Sequence, residues 1–248
     1  MDCLRRGRVE GRSVLQTPVV HLRRARDGRR ATLVLTVHLA EPAYFAGLNA
    51  AIRDANAQVF FESIRSVDAS TKHWDEKYHR LLRAIREDLY LGIAELGLFS
   101  FQAEYLAPSP DWVNSDVTCC EFAAKLREAK VSTVKYELAL AVFMKFVQRA
   151  KSGDREARRA IEAMLKKGLL AVSVLPLLEL QRFLPGMRGF QSVAADWRND
   201  VAVAKVDAES DGDFVLVYGA AHGPGLISLL RKRGFVEVDR EWHTAFST

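Results

Sequence analysis

The chain has little cysteine and no hydrophobic run long enough to cross a bilayer. Its three cysteines, Cys3, Cys119 and Cys120, stand in 248 residues. They lack CxxC spacing, and their odd number argues against a disulfide framework or a structural zinc site. Buried small side chains in a reducing compartment are expected instead. The longest apolar run, Gly168 to Leu180, is too short to span a membrane and is broken by Pro176 and Glu179. No apolar stretch follows the first arginines, as a secretory signal would require. The expectation is a cytoplasmic protein with no transmembrane segment.

Excess positive charge is also missing from most of the chain. The formal net charge is +5, but residues 1–30 hold nine arginines against Asp2, Glu10 and Asp27. The remainder is close to neutral. An Arg-rich start can serve nucleic acid or an anionic membrane. Here it lacks interleaved aromatics and any nucleic-acid motif, so a solvated basic hairpin is favoured over a nucleic-acid partner. With 49% hydrophobic and 27% charged residues, the composition is that of a globular protein with one large core.

Val14 to Arg24 and Ala31 to His38 flank Asp27-Gly28, a hairpin signal. Pro42 suits the first turn of a helix carrying Tyr44, Phe45, Leu48, Ala51, Ile52 and Ala55 at helical spacing. Asn56 ends it, and Gln58 to Glu62 reads as the next strand. The middle reads as helical: Trp74 to Leu98, Cys119 to Lys130, Val131 to Ala150, and Asp154 to Leu180. Ala107 to Asp116 and Leu184 to Gly189 read as loops. A short helix from Arg198 to Lys205 and a turn at Ser210 to Asp213 lead into the strand Phe214 to Tyr218. His222 to Gly225 turns into a helix from Leu226 to Lys232, which Gly234 stops before the strand Phe235 to Val238. The predicted class is α/β: a mixed sheet core of two related strand–helix–strand halves with a central helical insert. It is read as a single domain, with core 12–70 and 190–248 and insert 71–189.

His38, Glu62 and His222 each follow an apolar strand-like run. In open α/β sheets, ligands bind beyond the carboxyl ends of the strands. Two imidazoles and a carboxylate there suit zinc, manganese, iron or cobalt, or a general acid–base pair. A carboxylate after Val59-Phe60-Phe61 is costly to bury without a partner. Gly219, Gly223 and Gly225 permit close backbone approach around His222. Arg198 could pair with Glu62 or hold a substrate anion. His73 and His79 read as residues of a solvated helix face, His21 as part of the basic hairpin, and His243 as part of the tail. Trp112, Asn114 and Asp116 fall in a loop, where Asp116 reads best as the N-cap of the Cys119 helix.

These residues resemble the TraB/PrgY/Tiki superfamily. Thr36-Val37-His38 followed by Tyr44 is similar to its first histidine motif, and Gly219 to Gly225 to its second, a Gly-x-x-His at a strand end. Glu62 matches the glutamate after the second strand, and Arg198-Asn199-Asp200 the Arg-(Asn/Asp) segment. Leu35 stands where the first motif normally has glycine. The resemblance implies two related α/β halves with a helical insert, as in metal-dependent proteases and, more distantly, erythromycin-esterase-like hydrolases and haem- or iron-binding proteins. It makes His38 and His222 metal ligands, Glu62 a ligand or the base for water, and Arg198 the stabiliser of an oxyanion. The expected function is a metal-dependent hydrolase of a peptide or small amide or ester. The cofactor is a divalent ion such as Mn, Co, Fe or Zn. The alternative is a non-catalytic binder of haem, iron or a peptide. A homo-oligomer is left open.

Overall fold

The computed structural model describes residues 3–66, 76–84, 90–166 and 192–247. His73, the 168–180 apolar run and the expected loop at 184–189 lie outside those residues. In chain order the elements are β1 (Arg5–Val9), β2 (Arg12–Arg24), β3 (Arg30–Thr36), β4 (Leu39–Ala40), α1 (Pro42–Asp54) and β5 (Gln58–Phe61). Then follow α2 (Glu76–Arg83), the single turn α3 (Gly92–Ala94), β6 (Ser100–Phe101), the single turn α4 (Gln102–Tyr105) and β7 (Val113–Asn114). The rest comprises α5 (Cys119–Glu128), α6 (Val134–Lys151), α7 (Arg155–Lys166), a π-helical turn at Ser192–Trp197, α8 (Arg198–Glu209), β8 (Phe214–Gly219), α9 (Gly223–Lys232) and β9 (Phe235–Ser247).

The Asp27-Gly28 signal is realised as the turn between β2 and β3, which pair antiparallel with Val19 opposite Val34. Gly28 takes φ +77°, a conformation that costs a residue without Cβ little. Asp27 fastens the turn by accepting from Arg24 Nε and Nη2 at 3.0 and 2.6 Å and from the Arg29 N–H at 3.2 Å. Several N-terminal arginines are tied into the fold. Arg29 donates to the carbonyls of Ser210 and Gly212, Arg30 pairs with Asp213, and the Arg5 guanidinium lies 4.0 Å from the Trp242 ring centroid.

The main sheet runs β9-β2-β3-β8-β5-β7, with β1 also beside β2. From β3 to β7 neighbouring strands are parallel, while β1, β3 and β9 run antiparallel to β2. The class is therefore mixed α/β, with helices on both faces. β3 is adjacent to β8, yet their chains leave in opposite directions. α1 carries the chain from β3 past β8 to β5, and α9 carries it from β8 past β3 and β2 to β9. In open α/β sheets such a reversal marks the strand ends where ligands bind; the main surface cavity among the described residues lies at the other end, lined by Arg30, Ala31, Asp213 and Phe214.

Side-chain alternation divides the core in two, as the period of two requires. Val34, Val59, Val215 and Val217 face Tyr44, Phe45, Leu48 and Ile52 of α1. Leu33, Leu35, Phe60, Leu216 and Tyr218 face Val203 and Val206 of α8 and Leu226, Ile227 and Leu230 of α9. A third cluster joins Tyr78 and Leu81 of α2 to Phe122, Ala123 and Leu126 of α5.

Several elements differ from expectation: the 74–98 stretch, read as one helix, holds α2, the single turn α3 and a turn at 95–97, and α8 runs past Lys205 to Glu209. The Ala107–Asp116 segment contains β7, which extends the sheet beside β5. α9 begins at Gly223 rather than Leu226, because Pro224 and its neighbours already adopt the helix. β9 continues to Ser247, since its long antiparallel pairing with β2 supplies partners that the sequence beyond Val238 does not advertise. No helix among the described residues is long and apolar enough to cross a membrane.

Candidate functional site

All four parallel strands deliver a polar side chain at the carboxyl end. β3 leads to His38, β5 to Glu62, β7 to Asp116 and β8 to His222. Glu62 continues the β5 ladder, its N–H donating to the Val217 carbonyl at 3.0 Å, and its Oε2 accepts the Gly219 N–H at 2.6 Å. A Cβ on Gly219 would stand 3.2 Å from that oxygen, so glycine gives the carboxylate room beside the backbone.

Arg198, the first residue of α8, is the hub. Its Nε and Nη2 donate to Asp116 at 2.9 and 2.5 Å, its Nη2 also donates to Glu62 Oε1 at 2.7 Å, and its Nη1 donates to the Ala194 carbonyl at 3.0 Å. Nη1 lies 3.4 Å from His222 Nε2. All five guanidinium protons therefore face an acceptor. Arg198 is 6% exposed and Asp116 3%. Burial lowers the guanidinium pKa, but the Glu62 and Asp116 charges outweigh it and the net shift is upward. Burial also pushes Glu62 up, yet the His222 and Arg198 charges hold it well below the usual carboxylate range. Glu62 is an ion at neutral pH and a weak proton acceptor.

His222 Nε2 lies 3.3 Å from Glu62 Oε1. Its Nδ1 lies 2.7 Å from Asn199 Oδ1, and Asn199 Nδ2 donates back to the His222 carbonyl at 3.4 Å. The amide oxygen can only accept, so Nδ1 carries the proton. Gly225 makes this clamp possible, because a Cβ there would meet Asn199 Nδ2 at 2.2 Å. Gly223 lies over Leu35 and Cys3, whose atoms would stand 2.6 and 2.5 Å from a Cβ. Leu35, in the place of the expected glycine, thus fills the space under the second histidine turn.

His38 repeats the arrangement. Its Nδ1 lies 3.1 Å from Gln102 Oε1, which also accepts from the Thr36 hydroxyl at 3.2 Å. The strand end before it is held by Tyr44, whose hydroxyl accepts the Val37 N–H at 3.2 Å and contacts Thr17 Oγ1 at 2.7 Å. Burial keeps the His38 imidazole below its ordinary pKa, against the opposing pull of the Glu62 charge. His38 forms no ion pair with Glu62 within 4.0 Å. Its ring packs 4.9 Å from that of Tyr90. The Tyr90 hydroxyl is buried and has no hydrogen-bond partner among the described residues. Burial and the Glu62 charge both raise its pKa.

The structure thus brings Glu62, His222 and Arg198 into direct contact and leaves His38 to one side. Asp116 is no N-cap: Thr118 caps α5 in a capping box with Glu121, while Asp116 binds Arg198. Gln102 and Tyr90 carry no motif in the sequence. Asn199 was visible only beside Arg198.

Of the expected ligands, His222 Nε2 and Glu62 Oε1 come together, His38 does not join them, and both donor atoms also face the Arg198 guanidinium. Glu62 and Asp116 against Arg198 leave one formal negative charge unless His222 is protonated. Ligand bonds of about 2.1 Å at a tetrahedral ion place two ligand atoms about 3.4 Å apart, and His222 Nε2 and Glu62 Oε1 stand 3.3 Å apart. A second candidate group lies apart from these: His79, Cys119 and Cys120, whose ligand atoms all fall within 4.8 Å of one another. No protein-family model matches the chain, and neither a curated protein nor a solved structure matches it.

Proposed function

We propose that this protein is a metal-dependent hydrolase of the TraB type, acting on a peptide or a small amide or ester. One observation carries the reading. Both strand-end imidazoles are anchored through Nδ1 to a side-chain amide oxygen, Gln102 for His38 and Asn199 for His222. Metal-binding histidines characteristically donate the far ring N–H to an oxygen acceptor, which fixes the tautomer and leaves Nε2 unprotonated, able to bind a cation in His222 and to take a proton in His38. Glu62 supplies the carboxylate. The cation would acidify a water and polarise the substrate carbonyl.

The chain's own residues divide the remaining work. Arg198 positions Glu62 and keeps it ionised, with four of its N–H donors on oxygen; the fifth, which faces His222 Nε2, would give way to the cation. His222 and Glu62 would hold the cation. His38, half-buried and neutral by virtue of its lowered pKa, takes a proton at Nε2. The Tyr90 hydroxyl, which has no partner among the described residues and is kept protonated by its raised pKa, would donate to the developing oxyanion.

The test uses Mn2+, which prefers nitrogen and oxygen ligands to thiolates. Electron paramagnetic resonance should count near one bound Mn2+ per wild-type chain. His222→Ala and Glu62→Gln should lose it with the circular dichroism spectrum intact, and a panel of peptides and esters should show turnover only with metal present. Equal Mn2+ binding by all three proteins would sink the proposal.

A further inference from the structure

We infer that His79, Cys119 and Cys120 form a separate site for a zinc-like cation, on the α2–α5 pair and independent of the strand-end cluster. The three ligand atoms lie within 4.8 Å of one another, and Cys120 Sγ stands 3.9 Å from His79 Nε2. Zinc–sulfur bonds of about 2.3 Å and zinc–nitrogen bonds of about 2.0 Å put sulfur and nitrogen about 3.5 Å apart at a tetrahedral ion. A shift of a few tenths of an ångström closes the difference.

Both elements are built to hold the group in place. α2 is fixed by Tyr78 and Leu81, buried against Phe122 and Leu126 of α5, and the Tyr78 hydroxyl donates to the Val131 carbonyl at 2.9 Å. His79 follows Tyr78 directly and is half-buried. The start of α5 is set by the Thr118–Glu121 capping box and by the Cys119 N–H donating to the Arg65 carbonyl at 2.9 Å. Cys119 and Cys120 are therefore the first two residues of a ten-residue helix, both buried. The first helical turn favours negative charge, which suits thiolate ligands.

Two thiolates and an imidazole form a borderline-soft set that selects zinc over magnesium, calcium or manganese. On binding, each cysteine loses its thiol proton to solvent, and the two thiolates balance the two charges of the ion. Three protein ligands leave a tetrahedral ion one position for an outside ligand.

Co2+ is the probe. The reduced, metal-free full chain should take up Co2+ with a thiolate-to-cobalt charge-transfer band in the near ultraviolet and tetrahedral ligand-field bands in the visible. Both should disappear when Zn2+ is added. Cys119→Ser, Cys120→Ser and His79→Asn should weaken or abolish the charge-transfer band, and Glu62→Gln should leave it unchanged. Because the cysteines are buried, a second measurement uses the wild-type chain. One equivalent of Zn2+ should protect two of its three thiols from iodoacetamide, and a chelator should reverse the protection. No charge-transfer band in the wild type, a band that survives both cysteine changes, or no zinc protection would overturn the inference.

Discussion

Asn199 grips His222 at both ends, its Oδ1 2.7 Å from the ring Nδ1 and its Nδ2 donating to the main-chain carbonyl at 3.4 Å. One side chain thus sets the tautomer, the ring orientation and the turn on which the ring sits. Under the proposed function, Asn199→Ala leaves Nε2 in place but lets the ring rotate. Loss of such a partner typically costs 10–100-fold in metal affinity. Gly225→Ala should reproduce the effect with both residues retained, since its Cβ would collide with Asn199 Nδ2. Calorimetric Mn2+ titration of both variants is the check. Wild-type affinity in both would separate the clamp from metal binding.

Arg198 pairs with two carboxylates, Glu62 and Asp116, that burial without a cation would not tolerate. Removing one partner of a buried ion pair costs about 3–5 kcal/mol, because the other charge stays uncompensated. Arg198→Met should therefore destabilise by about that amount. Adding Asp116→Asn should recover part of the loss, so that the pair of changes costs less than the sum of the two. Urea midpoints of the four proteins in the cycle measure this. Strict additivity would mean that Asp116 and Arg198 do not depend on each other for stability.

The contrast between Asp116 and Glu62 shows what the sequence makes legible. Glu62 ends an apolar run, and its position at a strand end follows from that run. Asp116 ends a strand of two residues, Val113 and Asn114, inside a stretch rich in proline and polar groups. So short a strand has no periodicity of its own and forms because β5 offers an open edge beside it. Tertiary pairing, not propensity, places Asp116 in the site. The same holds for Tyr90 and Gln102, which reach His38 through packing over long sequence separations. Cys119, Cys120 and His79 are separated in the same way, and neither the cysteine spacing nor the charged helix around His79 announces the group they form. The hairpin, α1, the β8 strand and both histidine turns were readable because local turn chemistry and apolar period agree there.

Tyr44 links the first histidine turn to the core. Its hydroxyl meets Thr17 Oγ1 at 2.7 Å and the Val37 N–H at 3.2 Å, all of them buried. Tyr44→Phe keeps the ring packing and strands both partners without water. The cost of leaving such groups unpaired is about 1–3 kcal/mol. The urea midpoint should fall while the m-value stays constant. A midpoint equal to that of the wild type would show that Thr17 and Val37 find other partners.

His243 gives the fold a pH dependence that its place near the chain end does not suggest. It lies on β9 opposite Thr17 of β2, and its Nδ1 sits where a Cβ on Gly47 would stand 3.1 Å away. Burial lowers its pKa below 6.5, and the nearby Glu241 opposes this without reversing it. The unfolded chain therefore binds a proton at higher pH than the folded one. Well above pH 6.5 neither state binds the proton and the residue makes no pH-dependent contribution. As pH falls from 6.5 towards the folded value, protonation of the unfolded chain drains stability. His243→Asn should flatten the stability profile in that window and leave it unchanged above pH 7. Urea unfolding at half-unit steps from pH 8 to about 5 reads the slope. Parallel profiles for wild type and variant would mean that His243 titrates alike in both states.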